Sequence, residues 1–379
     1  MRIVHLSDVF PPRTGGIETQ VYELAVQQAA AGHEVHVLTG TIGADGERGG
    51  AVQEDHGVQV HRLGARMPWD VPVSPFERRL IRAELAPLAP DVVHVHVGVV
   101  SPFAIDGAQV AVAAALPTAI TWHSLFDGAA TILRPAVRLS RWGRVPVALS
   151  AVSELAAAQV AGMFPAATVA VVPNGIDVAA WAPAPRVAGD RAGGRGPLRL
   201  VAAMQLAPRK RAVPLVHLVA RAVRELPPGR LHLTLVGGGP SASAVQTAVA
   251  DEGLGHVVTL AGELPHEKIR FAYGDADVFV APAVLEPFGQ AALEARAAGL
   301  VVVARTGTGI AERLQDGVEG LLVADDAAMV DALVRLARDS ALLDAMRAHN
   351  RAVPPDYDWS RVLPLVDEQY ARARSLRDA

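Results

Sequence analysis

The sequence has no cysteine. That absence excludes disulfide bridges, thiolate zinc sites and cysteine nucleophiles together. Neither sign of charge dominates: 35 Lys and Arg stand against 39 Asp and Glu, a formal net charge of −4. A dedicated nucleic-acid binder would be strongly basic, so no nucleic-acid partner is expected. Lysine occurs only at positions 210 and 268 while arginine and alanine abound, the bias of a GC-rich, bacterial genome. Long apolar runs are missing as well. Stretches such as 110–120 are broken by proline, and none approaches the ~18 residues of a membrane span. The opening MRIVHLSDVF has a short apolar run stopped by Pro11 and Pro12 and does not read as a secretory signal. The expected location is the cytoplasm.

What is present is enough for two cores. The chain has 379 residues, and at roughly 100–200 residues per domain that predicts two domains. Hydrophobic residues make up 51% and charged residues 20%, which fits globular packing and not disorder. Short β-branched runs at 2–7, 34–39, 91–97, 118–123, 147–150 and 169–172 read as strands. Between the first two, Ile17, Val21, Leu24 and Ala25 fall on one helical face. The Pro- and Gly-rich, aperiodic segment 182–197 reads as a loop beside a domain boundary. The alternation restarts with strands at 198–203, 231–236, 257–260, 278–281 and 300–304, and a last helix is expected at 360–374. Strand–helix alternation means βαβ units, so the fold class is α/β with two doubly wound parallel sheets. Such sheets bind ligands at the carboxyl ends of their strands, and the natural site is a cleft between the domains.

The most informative stretch is 286–294, EPFGQAALE. Pro287 suits the first position of a helix. The amides of Phe288, Gly289 and Gln290 would then form a phosphate-ready helix N-terminus. Gly289 lets a ligand approach the backbone closely. Glu286 and Glu294 would lie roughly 12 Å apart along the helix, too far to share a proton or a metal. Two carboxylates with an anion site between them fit a nucleotide sugar. Taken alone, the same residues equally fit an ordinary capped helix with an exposed glutamate.

Several motifs in order resemble the retaining glycosyltransferases of GT-B fold, family 4 (glycosyl transferases group 1). These are PPRTGGIETQVYELAVQQAAAGHEVHVLTG, DVVHVH, TWHS, VPNGID, VGGGP, the Glu-x7-Glu stretch EPFGQAALEARAAG and TGTGIAERLQDGVEGLLV, which together span nearly the whole chain. The resemblance implies two Rossmann-like domains. The first, 1–178, would bind the acceptor and be completed by a C-terminal helix at about 358–379. The second, 179–357, would bind the nucleotide sugar. It also implies roles for residues. Glu286 would contact hydroxyls of the donor sugar, Glu294 the ribose, and the 288–290 backbone the sugar and diphosphate. Gly15 and Gly16 would pass close to the diphosphate; alone, the pair reads as a tight turn needing positive φ. Leu264, in the loop 262–266, would help to form the base pocket. His123, ending TWHS, would position the donor sugar or stabilise positive charge at the anomeric carbon. Catalytic residues would thus be His123, Lys210 and Glu286.

The basic pair departs from the family pattern G-R-L-x-x-x-K-G. Lys210 matches the lysine, but Gln205 stands in the arginine's place and Met204 and Arg211 replace the glycines. Arg209 or Arg211 would supply the missing charge from another direction. The same departure fits a non-catalytic nucleotide-sugar binder, and a GT-B-fold epimerase or hydrolase is a further alternative. Gly237–Ala242 satisfies G-x-G-x-x-A, with Glu263 about twenty residues on, which is the remote oxidoreductase reading. No metal or other cofactor is expected: His94 and His96 share a strand face and read as structural, and Asp275-Ala276-Asp277 reads as turn or helix-end chemistry. Arg134, Arg138 and Arg141 lie near one helix face beside Trp142. They are the acceptor-side candidates, for weak peripheral membrane contact or a phosphorylated acceptor, or else an ordinary solvated face. The expected activity is transfer of a hexose-type sugar from a UDP- or GDP-sugar to an acceptor hydroxyl.

Overall fold

A computed structural model describes residues 1–64, 77–126, 145–183 and 196–378. The chain divides into two compact units, Met1–Gly175 with Tyr357–Ala379, and Ile176–Asp356.

Unit 1 is built on an eight-stranded sheet of order β3-β4-β2-β1-β5-β6-β7-β8. Its strands are β1 (Arg2–Ser7), β2 (Glu34–Thr39), β3 (Ala51–Asp55), β4 (Val58–Arg62), β5 (Val92–Val97), β6 (Thr118–Trp122), β7 (Ala148–Ala151) and β8 (Val169–Val171). All neighbours pair in parallel except β3 with β4. The central strands are buried along both faces, which is why they read as continuous β-branched runs. The β3–β4 hairpin has no counterpart among the strands expected from sequence. It turns on His56 and Gly57 at φ 50° and 82°, the two left-handed residues of a tight hairpin turn.

The described helices of unit 1 are α1 (Gly16–Ala30), α2 (Glu77–Leu88), α3 (Pro102–Ala113), α4 (Glu154–Met163) and, from the far end of the chain, the last helix (Trp359–Asp378). That last helix buries Trp359, Val362, Val366, Tyr370 and Ala373, spaced at helical intervals. They pack with Ile3, Leu24, Val92, Ala119, Ala148 and Val172. It runs longer than the expected 360–374 because this stripe continues at both ends.

Unit 2 carries a six-stranded sheet of order β11-β10-β9-β12-β13-β14, all parallel. The strands are β9 (Leu198–Ala203), β10 (Leu231–Val236), β11 (Val258–Gly262), β12 (Val278–Ala281), β13 (Val301–Arg305) and β14 (Gly320–Val323). The helices are a short α5 (Val178–Trp181), then α6 (Ala212–Arg224), α7 (Ala242–Asp251), α8 (His266–Gly274), α9 (Gln290–Ala297), α10 (Asp326–Arg338) and α11 (Ser340–Ala352); the last helix of unit 1 is then α12. One core joins Leu200, Leu233, Val278 and Val301 of the sheet to Leu215 and Val219 of α6 and Leu333 of α10.

Each sheet reverses its winding direction once, at β1/β5 in unit 1 and at β9/β12 in unit 2. Loops leaving the carboxyl ends of two strands at such a point diverge to opposite faces and leave a crevice, where ligands of this architecture bind. Among the described residues, no helix is long and apolar enough to cross a membrane.

Candidate active site

In unit 2 the switch point is bridged by one ion pair. The loop after β9 ends in a single 3-10 turn, Pro208–Lys210, and the loop after β12 carries Glu286. Lys210 Nζ and Glu286 Oε2 meet at 2.6 Å, with both side chains largely buried. The other oxygen of Glu286, Oε1, accepts the amide of Gly289 at 3.2 Å.

That bond corrects the helix start expected from sequence. Pro287 is not the first helical residue; α9 begins at Gln290, with Gly289 as its N-cap at φ 88° and ψ 50°. The start is set by tertiary packing instead of by proline's preference. A Cβ at Gly289 would lie 2.2 Å from Ile310 Cγ1, so only glycine fits both the dihedral and the space. Phe288 turns into the core, where the guanidinium of Arg313 stacks 4.1 Å from its ring centre. Gln290 opens the helix and is half-buried.

Glu294 is not an exposed helix glutamate. It is 3% exposed, and its Oε1 lies 3.0 Å from His266 Nε2 at the start of α8. His266 in turn packs edge-on to Trp181, which also contacts Tyr273. A buried carboxylate bonded to an imidazole thus sits on the helix that follows the switch-point loop. Leu264, half-buried, lies in the loop between β11 and this histidine.

Gln205 is exposed on the loop after β9, as is Arg209. Arg211 does not replace the missing cation: both oxygens of Asp326 accept from its Nη2 at 2.8 Å, and Arg305 binds the same carboxylate. Arg211 also holds the left-handed conformation, φ 64°, ahead of α6, at the place where the family pattern has glycine.

In unit 1, Gly15 is the N-cap of α1 and Gly16 its first residue. Neither has positive φ in the left-handed range, so the pair is a helix start and not a left-handed turn. Glycine is required at 15 for space, because a Cβ there would sit 2.3 Å from a carboxylate oxygen of Glu18. Glu18 in the first turn thus folds its own charge over the helix N-terminus, with Arg13 4.0 Å away. The corresponding end of α3 is also occupied: Asp8, after β1, accepts the amides of Phe103 and Ala104 at 2.9 and 3.0 Å. Burial still pushes the Asp8 carboxyl up to about 6.

His123 follows β6 and is buried. Its Nε2 lies 3.0 Å from His96 Nδ1, and His96 Nε2 lies 2.9 Å from His5 Nδ1. Burial pushes His123 and His5 down to about 4. The ring nitrogens of His5, His94 and His96 come within 4.8 Å of one another, close enough for a metal. Yet each already has a partner: His5 also bonds Gln28, and His94 bonds the Tyr370 hydroxyl and Thr121. The cluster is a hydrogen-bonded array with no lone pair left for an ion.

Comparison with known proteins agrees with these two halves. The family description "Glycosyltransferase Family 4" matches residues 14–180, and "Glycosyl transferases group 1" matches residues 198–339. The D-inositol 3-phosphate glycosyltransferase of Kineococcus radiotolerans is 31% identical over 413 residues, covering 98% of this chain and 94% of that protein. The chain belongs to the family 4, group 1 glycosyltransferases. The enzyme of the same name from Actinosynnema mirum is 33% identical over a shorter match, 60% of this chain and 58% of that protein. In fold, the chain is similar to Anabaena HepE, solved in complex with UDP, at a TM-score of 0.74 and 18% identity, covering 98% and 100% of the two chains. The architecture is therefore GT-B, two Rossmann-like parallel-sheet domains.

Within this glycosyltransferase the structure brings Lys210, Glu286, Gly289 and Gln290 together around one switch-point loop, with Glu294 about one turn into α9. The glycines of 237–242 serve another purpose than a dinucleotide: a Cβ at Gly237 would lie 1.9 Å from the Met204 carbonyl, so they allow two loops to pack. Asp275 is the C-cap of α8, the helix-end position expected, whereas Asp277 is not a turn group: it is buried, pairs with Arg347 at 2.5 Å and accepts the Arg199 amide at 3.1 Å. Arg134, Arg138 and Arg141 lie outside the described residues. Sequence reasoning missed His266 as a partner of Glu294 and Asp8 as the cap of α3. The only local signal was their position just after a strand.

Proposed function

We propose that the protein is a retaining hexosyltransferase, independent of metal, that takes its sugar from a nucleoside diphosphate donor. The observation that carries this reading is the pairing of Lys210 with Glu286 across the β9/β12 switch point, beside the buried Glu294. A diphosphate entering the crevice offers Lys210 a stronger anion than Glu286. Lys210 then neutralises charge on the departing phosphate. Glu286, released, accepts from hydroxyls of the donor sugar, while Glu294 accepts from the ribose. The leaving phosphate takes the proton of the acceptor hydroxyl. The donor is a UDP- or GDP-sugar: HepE has also been solved with UDP-glucose, and a Mycolicibacterium smegmatis relative, 29% identical, is a GDP-mannose-dependent mannosyltransferase. Unit 2 holds the donor and unit 1 the acceptor, a hydroxyl on a lipid, a glycan or a small molecule such as the cyclitol phosphate of the named relatives.

A second reading, binding without turnover, is favoured by the basic loop. Gln205 brings no charge, and Arg211 is committed to Asp326. Calorimetry with UDP, GDP, ADP and dTDP, together with nucleotide release from the matching sugar donor, separates the two. Tight binding of one nucleotide, lost in Glu294→Ala, with acceptor-dependent release supports transfer. Binding without release supports the second reading, and no binding of any nucleotide refutes both.

A further inference from the structure

The buried histidines of unit 1 belong to a longer chain of polar groups. From His123 it runs through His96 and His5 to Gln28 Oε1, 2.7 Å from His5 Nε2. Gln28 Nε2 donates to the Tyr370 hydroxyl at 2.9 Å, and that hydroxyl lies 2.9 Å from His94 Nδ1. His94 Nε2 meets Thr121 Oγ1 at 2.7 Å, Thr121 meets Ser150 at 2.8 Å, and Ser150 reaches the Ile120 carbonyl at 3.5 Å.

Each imidazole and hydroxyl in the chain has one donor to give, and Gln28 accepts at Oε1 and donates at Nε2. A neutral imidazole carries one N–H and one lone pair, and a hydroxyl has one proton. Burial keeps all of these rings neutral, His94 and His96 falling well below the ordinary histidine range as His5 and His123 do. Such a chain has two consistent polarities, one the reverse of the other. Gln28, with its Oε1 on His5 and its Nε2 on Tyr370, sets the direction, and the Ile120 carbonyl at the far end, which cannot donate, agrees with it. Ser150 donates to Ile120 and must accept from Thr121. Thr121 then accepts from His94 Nε2–H, and His94 Nδ1 accepts from Tyr370. Tyr370 accepts from Gln28, leaving Gln28 Oε1 to accept from His5 Nε2–H. His5 Nδ1 accepts from His96 Nε2–H, and His96 Nδ1 accepts from His123 Nε2–H. What is left on His123 is the lone pair of Nδ1, for which the described residues supply no partner.

We propose that this chain is a positioning device: His96, His5, Gln28 and Tyr370 lock His123 as its Nε2–H tautomer and present Nδ1 as a fixed acceptor to a sugar hydroxyl. The lock follows from the hydrogen-bond geometry and the neutrality of the buried rings; its catalytic use rests on the glycosyl-transfer reading. A ring held in one tautomer by a remote partner is pre-organised for one hydrogen bond, as in other sites where the far nitrogen's partner sets the near one.

The test is long-range proton–nitrogen NMR of the full chain labelled with nitrogen-15 histidine at neutral pH. His123 is assigned by its absence from the spectrum of His123→Gln. The expected result is an unprotonated Nδ1 and a protonated Nε2 on His123. A protonated Nδ1, or the averaged signal of a ring exchanging tautomers, overturns the proposal. Gln28→Met should mix the tautomers and lower kcat by about 10- to 100-fold with donor KM little changed. Gln28→Glu, whose protonated carboxyl can both accept from His5 and donate to Tyr370, should restore both. A Gln28→Met protein that keeps the single tautomer overturns the relay. The predicted tautomer without turnover of any nucleotide sugar sinks the transferase reading and leaves the lock standing. Turnover with the opposite tautomer does the reverse.

Discussion

Replacing Gly289 by alanine isolates the feature that sets the start of the site helix. Two costs arise. The residue sits at φ 88°, where an L side chain costs roughly 1–2 kcal/mol. The new methyl would meet Ile310 Cγ1 at 2.2 Å and Cδ1 at 2.9 Å, an overpacking typically worth about 1–3 kcal/mol. Against these stands about 0.4–1 kcal/mol gained because the unfolded chain loses freedom. The net destabilisation of unit 2 should be about 1–5 kcal/mol. Ile310→Ala removes the clash but not the dihedral strain, so the double variant should recover about 1–3 kcal/mol relative to the sum of the singles. Native-state hydrogen exchange read by mass spectrometry on unit 2 peptides gives both numbers without assuming that the two units unfold together. A Gly289→Ala protein within about 0.5 kcal/mol of wild type, or a double variant that is simply additive, would refute the account of why the helix begins at Gln290.

Two further outcomes follow. Acid should destabilise unit 1 early: His5 and His123 fall from 6.5 to about 4 on folding, so their stabilisation is full above pH 6.5 and declines as pH drops toward 4. By pH 5 each should have lost about 2 kcal/mol, and unit 1 exchange protection unchanged between pH 7 and pH 5 would contradict this. Lys210→Met should weaken UDP binding by about 10- to 100-fold, the worth of a charge-assisted bond to phosphate. Glu286→Gln frees Lys210 and should hold or improve UDP affinity while turnover falls; equal loss of affinity in both variants by calorimetry counts against competition for Lys210.

The fold was legible wherever strands lie buried in a parallel sheet. Runs such as 2–7, 198–203 and 278–281 are β-branched or aliphatic because both faces are covered, and the structure returns them at the same bounds. The hairpin escaped because Ala51–Asp55 is half-exposed at a sheet edge and its turn is His-Gly instead of a common hairpin pair. β14 escaped because it opens on glycine and is fixed by the close approach of Gly320 to Val302, a contact between segments distant in sequence. At the site, the residue types around Glu286 and Glu294 were readable, but the helix start was not. Proline's local preference for a first helical turn lost to a glycine held by Ile310, a contact no local pattern encodes. The array around His123 was hidden for the same reason: His94 and His96 announce a polar strand face, whereas Gln28 and Tyr370 reach it from helices far away in sequence.

Tyr370 gives that array a consequence for how the protein is made. Unit 1 begins the chain, yet part of its sheet is covered, and its polar chain closed, by α12, which follows all of unit 2. A ribosome releases unit 2 complete while His94 and Gln28 still lack their shared hydroxyl. Chains fold from the N-terminus as they emerge, but here the first-made unit must wait for the last-made helix. On the proposed relay, one late segment thus completes the core of unit 1 and supplies the hydroxyl that orients His123.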